Sequence, residues 1–218
     1  MGRGRLAIHR WYWVAIAAAL GAAVALTALV LAVDTESSEL AIIESVQELP
    51  FPGNDLSNLL REATTTELDI AVIGIPLVLV LWFTGHRRHA LALVVLLIVL
   101  PIAQHEIKEA VDRDRPPFDP EVVWSVPVSR SFPSGHAMSA TIVYGWLLYC
   151  ALTLPWPAVW QRLAIGLSVA VFTLVPLATT YLALHWPTDV LGGYLWGLTL
   201  LLPAIWFASQ HEIAAGGN

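Results

Sequence analysis

HALALVVLLIVLPIAQHEIKEAVDRDRPP, residues 89–117, is the stretch from which the rest of the chain can be read. From Ala90 to Ala103 it is Leu, Val, Ile and Ala broken only by Pro101, and the expected span runs from His89 to about Ala110. A helix of that length can cross the roughly 30 Å hydrocarbon core of a bilayer. The run ends in a dense set of charges, Lys108, Glu109, Asp112, Arg113, Asp114 and Arg115, ahead of Pro116 and Pro117. Composition points the same way. Of 218 residues, 57% are hydrophobic and 13% are Asp, Glu, Lys or Arg, whereas a soluble domain has about a quarter of its residues charged. With a mean hydropathy of +0.67, these figures argue against a soluble globular chain and exclude a disordered one. The lone Cys150 rules out a disulfide framework and a cysteine-built zinc site.

Working outward, further segments qualify or nearly qualify as spans: about Trp11–Val33, Leu68–Thr84, Ser134–Leu154, Leu163–Leu184 and Asp189–Ala208. The expected fold is all-α, a polytopic membrane protein with six transmembrane helices in a single domain over residues 1–218. The first segment follows Arg3, Arg5 and Arg10, but its apolar run exceeds the roughly 7–15 residues of a signal peptide, so a retained anchor is expected. With six spans, Arg3, Arg5, Arg10, the His86-Arg87-Arg88-His89 turn and Arg162 share one side. That side is expected to be cytoplasmic, with both termini inside, and the short loops suit a bacterial inner membrane. Charge of −6 names no partner, because in a membrane protein the position of charge matters more than its sum. Membrane lipid is the expected surrounding, and no nucleic-acid partner is expected. The loop 34–67 is read as helical, with a stripe of Leu40, Ile42, Ile43, Val46 and Leu49, then a second short helix capped by Asn54 or Asp55. It reads either as a pair of helices packed on the surface or as a lid over a site.

Ionisable groups at the ends of spans are the informative residues in so apolar a chain. Three clusters fall on the predicted outer side. Lys108 and Arg115 are seven residues apart, hence on one face of a helix that Pro116 and Pro117 would stop, and two such cations can clamp a phosphate. Ser131-Phe132-Pro133-Ser134-Gly135-His136 opens a span: Ser134 can cap it, free N–H groups there suit an oxyanion, and Gly135 admits close approach. His185-Trp186-Pro187-Thr188-Asp189 places a carboxylate where it can fix an imidazole tautomer. Each cluster alone has a plainer reading: a charged helix end, a capped helix with an interfacial His, and an N-terminal Asp cap.

Together, Lys108-x6-Arg115-Pro116, Pro133-Ser134-Gly135-His136 and His185-x3-Asp189 resemble the type 2 phosphatidic acid phosphatase (PAP2) superfamily, which includes glucose-6-phosphatase and the vanadium haloperoxidases. The motif-bearing core is residues 105–192. The resemblance implies a PAP2/haloperoxidase-like helical bundle that hydrolyses a lipid phosphomonoester or diphosphate at the outer membrane surface, without metal or other cofactor. Polyprenyl diphosphate, phosphatidylglycerol phosphate and phosphatidic acid are the implied substrates. By the same resemblance His185 attacks phosphorus, Asp189 orients it, and His136 protonates the leaving group. Lys108, Arg115, Ser134 and Gly135 hold the phosphoryl oxygens. The family's third motif begins Ser-Arg, and here those positions are Ala178 and Thr179. Arg130 or Arg113 would then have to bring the missing charge, or Thr179 would give a neutral hydrogen bond and a slower enzyme. The remaining alternative is a fold that binds or transports phosphorylated lipid without turning it over.

Overall fold

The computed structural model describes the backbone of residues 2–215 and the side chains of residues 11–210. Arg3, Arg5 and Arg10, on which the expected orientation leans, have side chains outside the described residues. Among the described residues every regular element is helical. In chain order these are α1 (Gly2–Ala32), α2 (Glu36–Gln47), α3 (Asn54–Ala63), α4 (Thr66–Phe83) and α5 (Arg87–Val111). Then comes α6, formed by Gly135–Ser139, a π-helical stretch Ala140–Tyr144 and Gly145–Thr153. Finally come α7 (Ala158–Tyr181) and α8 (Pro187–Ala215).

Five helices, α1, α4, α5, α7 and α8, are long and apolar enough to cross a membrane. The expected fourth span is α6, whose regular winding the π turn divides into short pieces. It is the central rod of the bundle. Met138, Ile142, Val143, Trp146 and Cys150 are all buried, packed around by Leu93, Leu97, Leu100, Val175 and Leu201. Helices approach this closely in a bilayer when small residues line the seam. On α8 the seam is Gly193 and Gly197, where an added Cβ would lie 2.5 Å from the Ser134 carbonyl oxygen and 2.6 Å from Thr141 Cβ. A second π stretch, Asp69–Gly74, lies in α4. Its buried Asp69 accepts hydrogen bonds from Ser139 Oγ and Tyr144 OH on α6, both at 2.8 Å. The two irregular turns are therefore latched to each other.

Two local expectations are corrected. Helix α5 stops at Val111, five residues before Pro116, because Asp112 takes a left-handed backbone conformation (φ 50). Arg115 is thus on an extended segment and shares no helix face with Lys108. In α3 the N-cap is Gly53, with no side-chain cap from Asn54 or Asp55. The polarity of α3 is also inverted relative to a helix lying on a soluble core. Ser57, Asn58 and Arg61 face inward, while Leu59 is 54% exposed. Asn58 holds this face in place, donating to the Val122 carbonyl at 2.8 Å and accepting from Trp124 N–H at 2.9 Å.

Candidate active site

The three clusters converge at one end of the bundle. Lys108, Arg115, Gly135, His136 and His185 line a cavity of about 260 Å³, together with Arg61, Gln104 and Ser129. Ser134 is the N-cap of α6, its Oγ accepting from Ala137 N–H at 3.4 Å, and its own N–H donates to the Asp189 carbonyl at 2.9 Å. That second bond ties the start of α6 to the first turn of α8. His136 thereby faces His185, with ring centroids 6.2 Å apart at 68°.

His185 lies between α7 and α8, after a turn in which Ala183 adopts φ 52. Its Nδ1 is 3.6 Å from Asp189 Oδ2, just beyond direct hydrogen bonding. Its Nε2 is 3.4 Å from Arg115 Nη1. A guanidinium only donates, so this Nε2 is the unprotonated nitrogen and the proton belongs on Nδ1, toward Asp189. Burial holds the His185 imidazole well below its ordinary pKa, with Arg115, Lys108 and His136 adding and the Ser131 backbone opposing. A neutral ring with a bare Nε2 in the cavity is a nucleophile.

Asp189 is fully buried and well provided with donors. Ser131 Oγ and Trp186 N–H donate to Oδ2, the latter at 2.8 Å, and Arg113 Nη1 donates to Oδ1 at 2.8 Å. Arg113 also reaches Glu39 Oε1 at 2.7 Å and lies over the Trp186 ring at 5.3 Å. Burial alone would raise the Glu39 carboxyl, but hydrogen bonds from Thr35, Thr188 and Arg113 hold it below its ordinary value. The Arg115 guanidinium is lowered to about 10 by burial, with Asp189 opposing and the Arg61 charge adding.

Of the auxiliary residues, neither Arg130 nor Thr179 reaches the cavity. The Arg130 side chain is ion-paired with Asp112 and Asp114 on the surface, and only its backbone carbonyl approaches, accepting from Lys108 Nζ. Thr179 is fully buried, its Oγ1 donating to the Pro176 carbonyl at 3.1 Å. Arg113 is committed to Glu39 and Asp189. Sequence reasoning missed Gln104, Glu39 and Arg61, and quoted Ser131 in the second cluster without giving it a role. Gln104 had a readable signal, a polar side chain one helical turn before Lys108. It accepts from Thr66 Oγ1 at 3.1 Å and donates to the Gly135 carbonyl at 3.0 Å, fixing the mouth of α6. Among the described residues no group of His, Cys, Asp and Glu is arranged to hold a metal.

The chain is similar to known proteins of matching architecture. It is 39% identical over 95 residues to phosphatidylglycerophosphatase B of Bacillus subtilis, covering 43% of this chain and 45% of that protein's length. It is 27% identical over 153 residues to a putative undecaprenyl-diphosphatase of Escherichia coli, covering 66% and 72% respectively. A crystal structure of a transmembrane PAP2-type phosphatidylglycerolphosphate phosphatase from Bacillus subtilis shares the fold, with a TM-score of 0.68, 22% identity, and coverage of 93% of this chain and 97% of that one. With its apolar helices, this likeness makes the protein an integral membrane protein. Residues 89–212, more than half of the chain and including every clustered residue from Lys108 to Asp189, match the PAP2 superfamily, and the chain belongs to it.

Proposed function

We propose that this protein is a six-span lipid phosphatase of a bacterial inner membrane, with both termini cytoplasmic and its cavity open to the outer surface. Its substrate is a lipid phosphomonoester or diphosphate. The observation that carries the reading is the opposition of His136 and His185 across a cavity walled by Lys108 and Arg115. Pro127 and a fully exposed Val128 border an otherwise polar cavity, which favours a charged head group inside it with an apolar tail left outside. The names of the two relatives favour phosphatidylglycerol phosphate and polyprenyl diphosphate, with phosphatidic acid a third candidate of the same chemistry.

Phosphoryl transfer asks a protein mainly to position the reactants and neutralise three equatorial oxygens. Lys108, Arg115 and the N–H groups at the start of α6 do the second, joined by Ser134 once its long cap bond is released. His185 Nε2 donates its lone pair to phosphorus as the bond to the leaving oxygen breaks. That oxygen takes a proton from the His136 imidazolium, which keeps its Nε2–H on the Arg61 carbonyl. The phosphohistidine keeps its proton on Nδ1, and Asp189, 3.6 Å away, stabilises the resulting positive ring. Water then attacks phosphorus, gives a proton to His136, and returns the electron pair to Nε2 as inorganic phosphate leaves. No metal or cofactor takes part in these steps.

The test is phosphate release by the detergent-solubilised full chain from each of the three lipids. Wild type should turn over at least one. His185→Ala should reduce release to background and lose the acid-labile phosphoenzyme. Lipid bound tightly with no phosphate released would favour a binding or transport protein instead, and activity surviving His185→Ala would remove the nucleophile.

A further inference from the structure

The site has a vacancy in its charge pattern. At position 179, where PAP2 proteins carry an arginine, Thr179 is turned back on its own helix and makes no contribution to the cavity. Arg113 and Arg130 are each held by two carboxylates. Lys108 lies in the last turn of α5 and Arg115 on the segment after it, and both line the cavity.

Another cation enters from elsewhere. Arg61, on α3, is 8% exposed and lines the same cavity. Its Nη1 donates to Glu62 Oε1 at 2.7 Å and to Ser125 Oγ at 3.0 Å, which fixes the guanidinium. Its backbone carbonyl lies 3.2 Å from His136 Nε2. A carbonyl only accepts, so that nitrogen carries a proton. A tether to Glu62, whose side chain is 37% exposed, is worth little by itself. It does not account for drawing a guanidinium into a cavity that already holds Lys108 and Arg115. Like charges gathered in a part-buried space repel one another, and the arrangement makes sense when an anion comes between them.

We propose that Arg61 is a phosphoryl-binding residue, bringing from α3 the cation that position 179 lacks, while its carbonyl orients His136 as the proton donor. Helix α3 is then a wall of the site, built into it by the inward polar face that also carries Ser57 and Asn58. The inference rests on the proposed phosphatase reading.

The test uses the full chain in detergent, with orthovanadate as the probe because it mimics the five-coordinate phosphorus, and kcat/KM on the best lipid substrate. Arg61→Ala should weaken vanadate binding, measured calorimetrically, and lower kcat/KM by about 10- to 150-fold. Arg61→Lys should recover part of each, since it restores a point charge without the fork. Glu62→Gln and Ser125→Ala, which loosen the tether and keep the guanidinium, should cost less than Arg61→Ala, and Leu59→Ala, on the exposed face of α3, should change either quantity less than threefold. Vanadate affinity unchanged in Arg61→Ala overturns the inference, as does an equal loss in Leu59→Ala. Arg61-dependent vanadate binding without phosphate release from any lipid would defeat the phosphatase reading and leave the anion site standing.

Discussion

Gly193→Ala tests how closely the catalytic geometry depends on one helix seam. The new methyl would lie 2.5 Å from the Ser134 carbonyl oxygen, 2.8 Å from Ala137 Cβ and 3.1 Å from Met138 N. Two of these neighbours are backbone of the α6 start and cannot rotate away. The closest is roughly an ångström short of van der Waals contact, so α6 and α8 must separate by a comparable distance. The overpacking costs about 1–3 kcal/mol, little enough for the protein to fold. The catalytic cost is larger. His136 rides on α6, and Asp189 on α8 is bonded through its carbonyl to Ser134 N–H at 2.9 Å. A displacement of about 1 Å in such a site lowers rate by about 10²-fold. Phosphate release gives kcat/KM, and a thermal melt in detergent reports folding. Gly166→Ala is the control, since nothing lies within 4 Å of its added Cβ. If Gly193→Ala keeps full turnover, the seam does not set the distance between acid and nucleophile, and the argument is refuted.

Arg113→Ala should destabilise by about 3–5 kcal/mol, because it leaves buried Glu39 and Asp189 without their shared cation. The melting temperature should fall steeply and part of the loss should return in Arg113→Ala/Glu39→Gln; an unchanged melt would show the bridge to be dispensable. His185 gives a pH signature. Because burial depresses its folded pKa, the unfolded chain binds the extra proton first as pH drops below about 6.5. Its contribution to stability is therefore complete above that pH and declines, by about 1.4 kcal/mol per pH unit, as pH falls toward the folded value. Melting temperature should decline between pH 6.5 and 5, and less steeply in His185→Gln; identical slopes would count against a neutral, buried His185.

Much of this was open to reading because it rests on local order. Apolar runs marked α1, α4, α5, α7 and α8, since length and hydropathy are what a bilayer demands. Spacing brought out His136, His185 and Asp189, since each belongs to a short segment whose turn or cap is locally determined. Arg61 was hidden for a physical reason. In NDLSNLLREA the leucines suggest an inward apolar face, but Asn58 and Arg61 turn inward to partners on the distant segment Val122, Trp124 and Ser125. Spacing from Lys108 singled out Arg115, but nothing in the sequence separated the fates of Arg113 and Arg130. Only the left-handed Asp112, which ends α5 early, sends Arg115 to the cavity and Arg113 to Asp189. Such choices depend on the folded path of the loop, and no periodicity records them.

The wide turn in α6 sets the angular phase of everything before it. A regular α-helix advances about 100° per residue, and a π stretch accommodates a residue that regular winding would have rotated onward. Ala140–Tyr144 therefore lets Trp146 and Cys150 point into the bundle while His136, on the far side of the irregularity, points at His185. Winding Ala140–Tyr144 as regular α-helix with every residue kept would swing the first turn by about 100°, and the wide turn absorbs that offset. The His136 imidazole would then turn away from His185, with Trp146 and Cys150 still seated in the bundle.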